Sequence, residues 1–353
     1  MHRREALKSI VGTLATASVS FGQTESAENV KYFGAIKPST HTMRQVFARP
    51  KGSFYDRFGV FRGISQQVDE VFLYKHLEKE IGRLIPHYQG PDPETGDPGE
   101  GDCVAQAAGI GSDILAGVNI HMLGKREKFI AKASVEMLYT GSRVEIGGNQ
   151  LLTGGSNGIW MVQFLQKYGV LHRLEYRLGD NYIDLRGYHP GRSRQYRNKG
   201  VPDWLEDTAR EHPVLEYTQV KSGTEALDAV CAGQVVLMCS TYAFYDKRDD
   251  DGFTMPKLDR DFLRGRRRFV SRREQWWHCM LLAAKVLKRG REGGTILNSH
   301  GKWNSGPQPD DMPDGSFNVE TQYLDLMVKD WYDCYALSLY KGHEAAKIRH
   351  RLY

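Results

Sequence analysis

The 353-residue sequence contains nothing approaching the eighteen or so uninterrupted apolar residues of a bilayer-spanning helix. It has no internal repeat. Its five cysteines, Cys103, Cys231, Cys239, Cys279 and Cys334, match no zinc-site spacing, and an odd total leaves at least one free or paired between molecules. Its acidic loop does not follow the EF-hand order, which argues against calcium, and the chain is expected to need no metal and no cofactor. The charge excess is small, +5, too weak by itself to imply a nucleic-acid partner. What is present, 40% hydrophobic and 26% charged residues, fits a globular chain with a sizeable core, in one large domain or two modest ones.

The N-terminus reads Met-His-Arg-Arg-Glu-Ala-Leu-Lys, then a weakly apolar stretch from Ser9 to Phe21 rich in Ala, Ser, Thr and Val. A charged start, a short apolar run and small residues near Ser18–Gly22 describe an export signal over residues 1–22, and the paired arginines resemble a twin-arginine leader. This predicts an exported bacterial protein, in the periplasm, cell envelope or medium. Residues 23–65 read as an N-terminal arm, with a short strand at Arg44–Ala48.

The loop 86–102, rich in proline and glycine, ends in Gly101-Asp102-Cys103-Val104-Ala105-Gln106. A small-residue helix begins there and runs to about Met122, apolar around most of its circumference and therefore central. A thiol at a helix N-terminus faces unpaired N–H groups and the positive end of the macrodipole, both of which favour the nucleophilic thiolate. Cys103 is thus the candidate nucleophile, whereas Cys231, Cys239 and Cys279 read as small core residues.

Helical spacing predicts elements over Ser65–Ile81, with Gly82 as the stop, and over Ser156–Tyr168, with Gly169 as the stop. Strands are expected at Val214–Val220, Gln234–Ser240, Trp277–Ala283, Thr295–Asn298, Ser316–Val319 and Ala336–Tyr340, with a helix at Gly223–Ala232. Helices come first and strands later, which indicates an α+β protein. Two further residues suit the chemistry. His278 lies on an apolar strand between tryptophans and cysteine. Asn298 closes a strand, where asparagine alone is an ordinary turn former but could also fix the tautomer of a histidine base.

Cysteine at a helix start, then histidine and asparagine on later strands, resembles the papain-like cysteine peptidases. The chain also resembles a divergent bacterial and phage branch of these proteins with a Gly-Asp-Cys-Val box. The resemblance implies a two-lobe fold: a helical lobe with a central Cys-bearing helix (about 66–212) and an antiparallel, barrel-like β lobe (about 213–345), with 346–353 as a tail. It implies Cys103, His278 and Asn298 as catalytic residues and the Cys103 N–H with the Gln89 side chain as the oxyanion hole. Gly154, Gly155 and Ser156 resemble the glycine wall that pairs with an extended peptide or protein substrate. The implied activity is peptide-bond hydrolysis through a Cys103 thiolate and His278 imidazolium. The alternatives are a papain-fold amidase or acyltransferase acting on cell-wall peptides, or a catalytically silent binding protein.

Two departures from the family stand out. Residue 300 is histidine where the family carries a tryptophan over the Asn–His pair, and His278 follows Cys103 by 175 positions, more than the usual 130–150 or so. The excess is accounted for by residues 259–273, which hold seven arginines interleaved with Phe262 and Phe269. Its Arg264–Arg268 run could hold an anionic polymer, or simply form a solvated loop near the cleft.

Overall fold

The structure is a computed structural model, which describes residues 30–32, 34–39, 52–84, 100–122, 128–151, 154–214, 216–258, 274–301 and 305–338. The export segment 1–22, the Arg44–Ala48 strand, Gln89, the arginine run Arg264–Arg268, Trp303 and the tail 346–353 lie outside the described residues.

The first half is mostly helical. After strand β1 (Val30–Tyr32), helix α1 (Phe54–Phe58) opens on a capping box in which Ser53 and Asp56 satisfy each other's backbone N–H. Strand β2 (Val71–Phe72) leads into α2 (Tyr74–Ile81), and the long helix α3 (Cys103–His121) follows. Next come α4 (Val135–Gly141) and α5 (Gly158–Lys167), capped by the Asn157 side chain on the Trp160 N–H. A hairpin of β3 (Glu175–Leu178) and β4 (Asn181–Asp184) and the short helices α6 (Pro190–Tyr196) and α7 (Glu206–Arg210) complete this half.

The second half supplies β5 (Glu216–Gln219), α8 (Gly223–Cys231), β6 (Val235–Tyr242), β7 (Gln275–Lys288), β8 (Arg291–Leu297), β9 (Phe317–Glu320), α9 (Thr321–Trp331) and β10 (Asp333–Ser338). They form a sheet in the order β5-β10-β6-β7-β8-β9, antiparallel along this path, with β2 added antiparallel and β1 parallel on β7. The expected barrel is not formed. The sheet stays open, and helices cover it instead. Every residue of β6 is buried, as a strand covered on both faces must be. A Cβ on Gly111 of α3 would lie 3.2 Å from Leu281 and 3.3 Å from Val235, so this helix presses directly on β7 and β6. Leu227 of α8 and Leu282 instead converge at Gly294 of β8.

By length and composition α3 could cross a bilayer, but 83% of its apolar window is buried inside the protein, where it is the core helix. The single helix expected over Ser65–Ile81 is three pieces. A 3-10 turn at Ile64–Gln67 and β2 precede α2, because Val71 and Phe72 pair with Lys285 and Ala284 of β7 and extended backbone wins over helical periodicity there. The Gly82 and Gly169 stops both hold, each with positive φ.

Candidate active site

Cys103 is the first residue of α3, and its neighbours hold the turn rather than cap it. The Asp102 side chain gives α3 no capping hydrogen bond. It accepts instead from the Tyr188 hydroxyl (2.7 Å) and from Gln106 Nε2 (3.3 Å). Burial pushes the Asp102 carboxyl up to about 7, against the pull of those two donors. The first amides of α3 therefore keep their positive field at the thiol.

From the opposite side, β7 brings the other two groups. The backbone N–H of Cys279 donates to Cys103 Sγ at 3.3 Å, which seats the sulfur on the strand one residue past His278. His278 Nε2 bonds Asn298 Oδ1 at 2.8 Å, and the same oxygen accepts the Ser299 N–H at 2.8 Å. Asn298 stands just beyond the end of β8, whose register with β7 pairs Leu297 with Leu281. An amide oxygen can only accept, so this bond places a proton on Nε2 and leaves Nδ1 as the basic nitrogen. The three residues predicted from their order in the chain are thus held on three adjacent elements.

His300 occupies the covering position expected of an indole. Its ring stacks on His278 with centroids 4.7 Å apart and planes at 21°, and Trp276 sits edge-on to both. Cys103 and His278 are fully buried, and Asn298 is 1% exposed. Burial, and then the nearby Cys239 thiol, push Cys103 well above its ordinary value, against the Cys279 N–H. Burial, and then His300, push His278 well below its ordinary value, against the bond to Asn298. In this closed arrangement both groups favour their neutral forms.

The predicted wall lies beside them. The Gly155 N–H donates to the Tyr139 hydroxyl at 3.0 Å, which donates to Glu100 Oε1 at 2.7 Å, and Arg143 donates to the Gly155 carbonyl. Gly154 faces Glu100, and the Ser156 and Ser142 hydroxyls bond at 2.9 Å. The edge of this wall is already paired with the chain's own arm. The Ile36 N–H donates to the Ser156 carbonyl (2.8 Å), and the Ser156 N–H to the Gly34 carbonyl (2.8 Å). The Ala35 N–H crosses to the Trp277 carbonyl on β7 at 3.1 Å. Residues 34–36 therefore bridge the wall and the strand next to His278, with Ala35 fully buried.

Several of these residues gave no local signal in the sequence. Asp333 opens β10, yet its carboxylate accepts the N–H groups of Gly158 (2.7 Å) and Ile159 (3.0 Å) and so caps α5 from the sheet side. Burial pushes it up to about 6. The Cys279 N–H, the Glu100–Tyr139–Gly155 chain and the arm depend on contacts between distant segments. Among the described residues, no group of three His, Cys, Asp or Glu side chains is arranged for a metal ion.

A helix opened by cysteine, packed on an open antiparallel sheet that carries the histidine and asparagine, defines the papain-like fold. Among solved structures, the chain is similar to xylellain, a cysteine protease from Xylella fastidiosa, at 15% identity and a TM-score of 0.52, over 90% of this chain and 100% of that one. It is also similar to the Amb a 11 cysteine protease, a ragweed pollen allergen, in its proform (13% identity, TM-score 0.45, 84% of this chain and 73% of that one). No protein-family model matches the sequence, and no curated protein matches it significantly.

Proposed function

We propose that this protein is an exported cysteine-type peptidase that hydrolyses peptide bonds through Cys103, His278 and Asn298. The observation that carries the reading is the convergence of Cys103 Sγ on the Cys279 N–H, beside a histidine whose Nε2 is held by Asn298. His278 Nδ1 takes the Cys103 proton, and the thiolate attacks an amide carbonyl. The Cys103 N–H, with Gln89 as its expected partner, receives the oxyanion. The imidazolium then protonates the leaving amine, and water releases the acyl group. Removal of the arm from the wall readmits water and substrate and supports the charged pair that burial disfavours. Export rests on the leader at 1–22, and the arginine run Arg264–Arg268 is a candidate contact for acidic substrate segments or polymer.

The complete burial of Cys103 and His278 favours a second reading, a catalytically silent papain-fold binding protein. Alkylation separates the two. The rate of Cys103 modification by iodoacetamide is followed against pH in protein lacking residues 1–39, with Cys103→Ala subtracting the other thiols. A rate that holds its plateau below about pH 7, and is lost in His278→Ala, identifies an activated nucleophile. Reactivity that appears only near the free-thiol value of about 8.5 identifies the silent protein.

A further inference from the structure

We infer that the cavity alongside the later turns of α3 is a binding site for a small organic cation, an ammonium or amidinium group carried on an apolar body. The site is separate from the nucleophile, since Asp113 lies roughly 15 Å from Cys103 along the helix axis. It stands whether or not the peptidase reading does. Its volume is about 560 Å³, within the range of about 300–1,000 Å³ usual for small-molecule sites.

Segments distant in sequence build it. One side of α3 supplies Asp113, Ala116 and Asn119, spaced so that they rise along a single face of the helix. The 170–172 segment is laid against 132–134: the Ser134 N–H donates to the Leu171 carbonyl and the Arg173 N–H to the Lys132 carbonyl, both at 2.7 Å. The Val170 N–H in turn donates to the His212 carbonyl at 3.0 Å, which hangs 211–213 on the same wall. His172 and His212 meet there edge to face, with ring centroids 4.5 Å apart. Ala116 and Val170 supply apolar surface between the polar groups.

Buried polar groups are normally bonded, so the exceptions here are informative. Asn119 is 3% exposed, yet its side-chain amide makes no hydrogen bond among the described residues. Asp113 is 7% exposed; Oδ1 accepts the Ala133 N–H, and Oδ2 has no partner among the described residues. Neither imidazole of the His172–His212 pair bonds through a ring nitrogen there. These atoms are open to the cavity rather than walled in by protein.

The buried charge is negative. Burial pushes the Asp113 carboxyl up to about 7, against the Ala133 N–H, Lys132 and Arg173. Neither Lys132 nor Arg173 forms an ion pair with it among the described residues, and Arg173 Nε is engaged by the Ala133 carbonyl at 3.1 Å. Burial, and then the His212 ring, push His172 down to about 4, so it enters as a neutral ring that accepts as well as donates. The exposed Glu211 and Lys128, which also line the cavity, offset one another. A buried carboxylate without an ion pair is costly, and a cation in the cavity relieves it. A metal ion does not fit, because among the described residues no three His, Cys, Asp or Glu side chains are arranged for one. An ammonium or amidinium presents several N–H donors at once, which match Asp113 Oδ2, Asn119 Oδ1 and the imidazole acceptors.

The test is isothermal titration calorimetry of the full chain at about pH 8, where Asp113 is ionised. Phenethylamine is the cation, 2-phenylethanol its neutral isostere and zinc chloride the metal. The natural protein is compared with Asp113→Asn and Ala116→Phe. Asn keeps the acceptor for the Ala133 N–H, and Phe fills the cavity while leaving its polar groups in place, so one variant stands in if the other fails to fold. The expected result is saturable binding of phenethylamine, about tenfold or more tighter than 2-phenylethanol. Asp113→Asn should remove that preference, and Ala116→Phe should weaken both ligands by about tenfold or more. Phenethylamine that fails to bind by about 10 mM, or that binds all three proteins equally, would overturn the site. Equal affinity for the amine and the alcohol, or zinc binding lost in Asp113→Asn without binding of the amine, would overturn the class of ligand.

Discussion

Asn298 holds His278 through an oxygen that is itself held. Oδ1 accepts the imidazole Nε2 at 2.8 Å and the Ser299 N–H at 2.8 Å, so the amide cannot turn to offer its nitrogen without breaking the second bond. The tautomer of His278 is therefore set by the turn after β8. Replacing Asn298 with Ala should leave the fold intact but release the ring. The expected loss in kcat/KM on a denatured protein substrate is on the order of 10²-fold, the low end of what a well-placed general base contributes. A loss below about threefold would show that stacking by His300 and Trp276 positions the ring alone.

Asp333 ties the α5 end of the wall to the sheet. Its two oxygens are the acceptors for the Gly158 and Ile159 N–H groups, both buried. Asp333→Ala strands these donors and should cost about 2–4 kcal/mol in urea unfolding, more than an exposed cap because water does not reach them. Asp333→Asn, which retains one acceptor, should lose roughly half as much.

What could be read from the sequence, and what could not, divides along a physical line. Cys103, the stop glycines and the strands of the second half announced themselves through local chemistry, and the order of Cys103, His278 and Asn298 matched a known fold. The boundaries of α3 and α8 agree with the expected ones to within one residue. The failures were of two kinds. Helix α9 is absent from the expected elements although Leu324, Met327, Val328 and Trp331 are spaced for a buried face; it is short and set directly between two strands. The open sheet, the Asp333 cap and the pairing of residues 34–36 depend on contacts between segments far apart in sequence, which no local window carries.

The titration of Asp113 gives a pH-dependent stability term with a definite sign. This carboxylate, on the buried helix α3, accepts the Ala133 N–H at 2.9 Å, and burial pushes it up to about 7. Its folded value lies above the unfolded value of about 3.9, so the folded state binds the extra proton. The contribution is fully present below about pH 4 and is lost as pH rises toward 7, by at most about 4 kcal/mol. Asp113→Asn keeps the acceptor and removes the titration. The variant should gain stability over the natural protein progressively from pH 4 to pH 7.5, read as the difference in urea midpoints. A difference independent of pH would mean that the carboxylate is solvated.

Close approach of α3 to its neighbours imposes a packing limit at Gly117. A Cβ there would lie 2.7 Å from the backbone carbonyl carbon of His76 and 2.8 Å from both the His76 oxygen and the Leu77 nitrogen. These are backbone atoms of α2, and no rotamer change can clear them. Gly117→Ala should therefore destabilise by about 1–3 kcal/mol, despite the higher helix propensity of alanine. Gly82 makes the comparison: a Cβ there meets nothing, and the cost of Gly82→Ala is confined to its positive φ.

The arm offers the most direct handle on the site. Gly34 has φ of +108°, and a Cβ added to it would overlap the carbonyl of Gly101, two residues before Cys103. Gly34→Val therefore cannot occupy the present position: the strain in φ and the clash with backbone act together. The Gly34–Ser156 and Ile36–Ser156 hydrogen bonds must then break, and the bridge from Ala35 to Trp277 goes with them. The core is otherwise untouched, so thermal stability should fall only slightly. Access to the sulfur should change far more. Alkylation of Cys103 at pH 7.5 is expected to accelerate at least tenfold in Gly34→Val and to match protein lacking residues 1–39. If neither change alters the rate, Cys103 is closed off by something other than residues 34–36, and the arm is a structural strap rather than a cover.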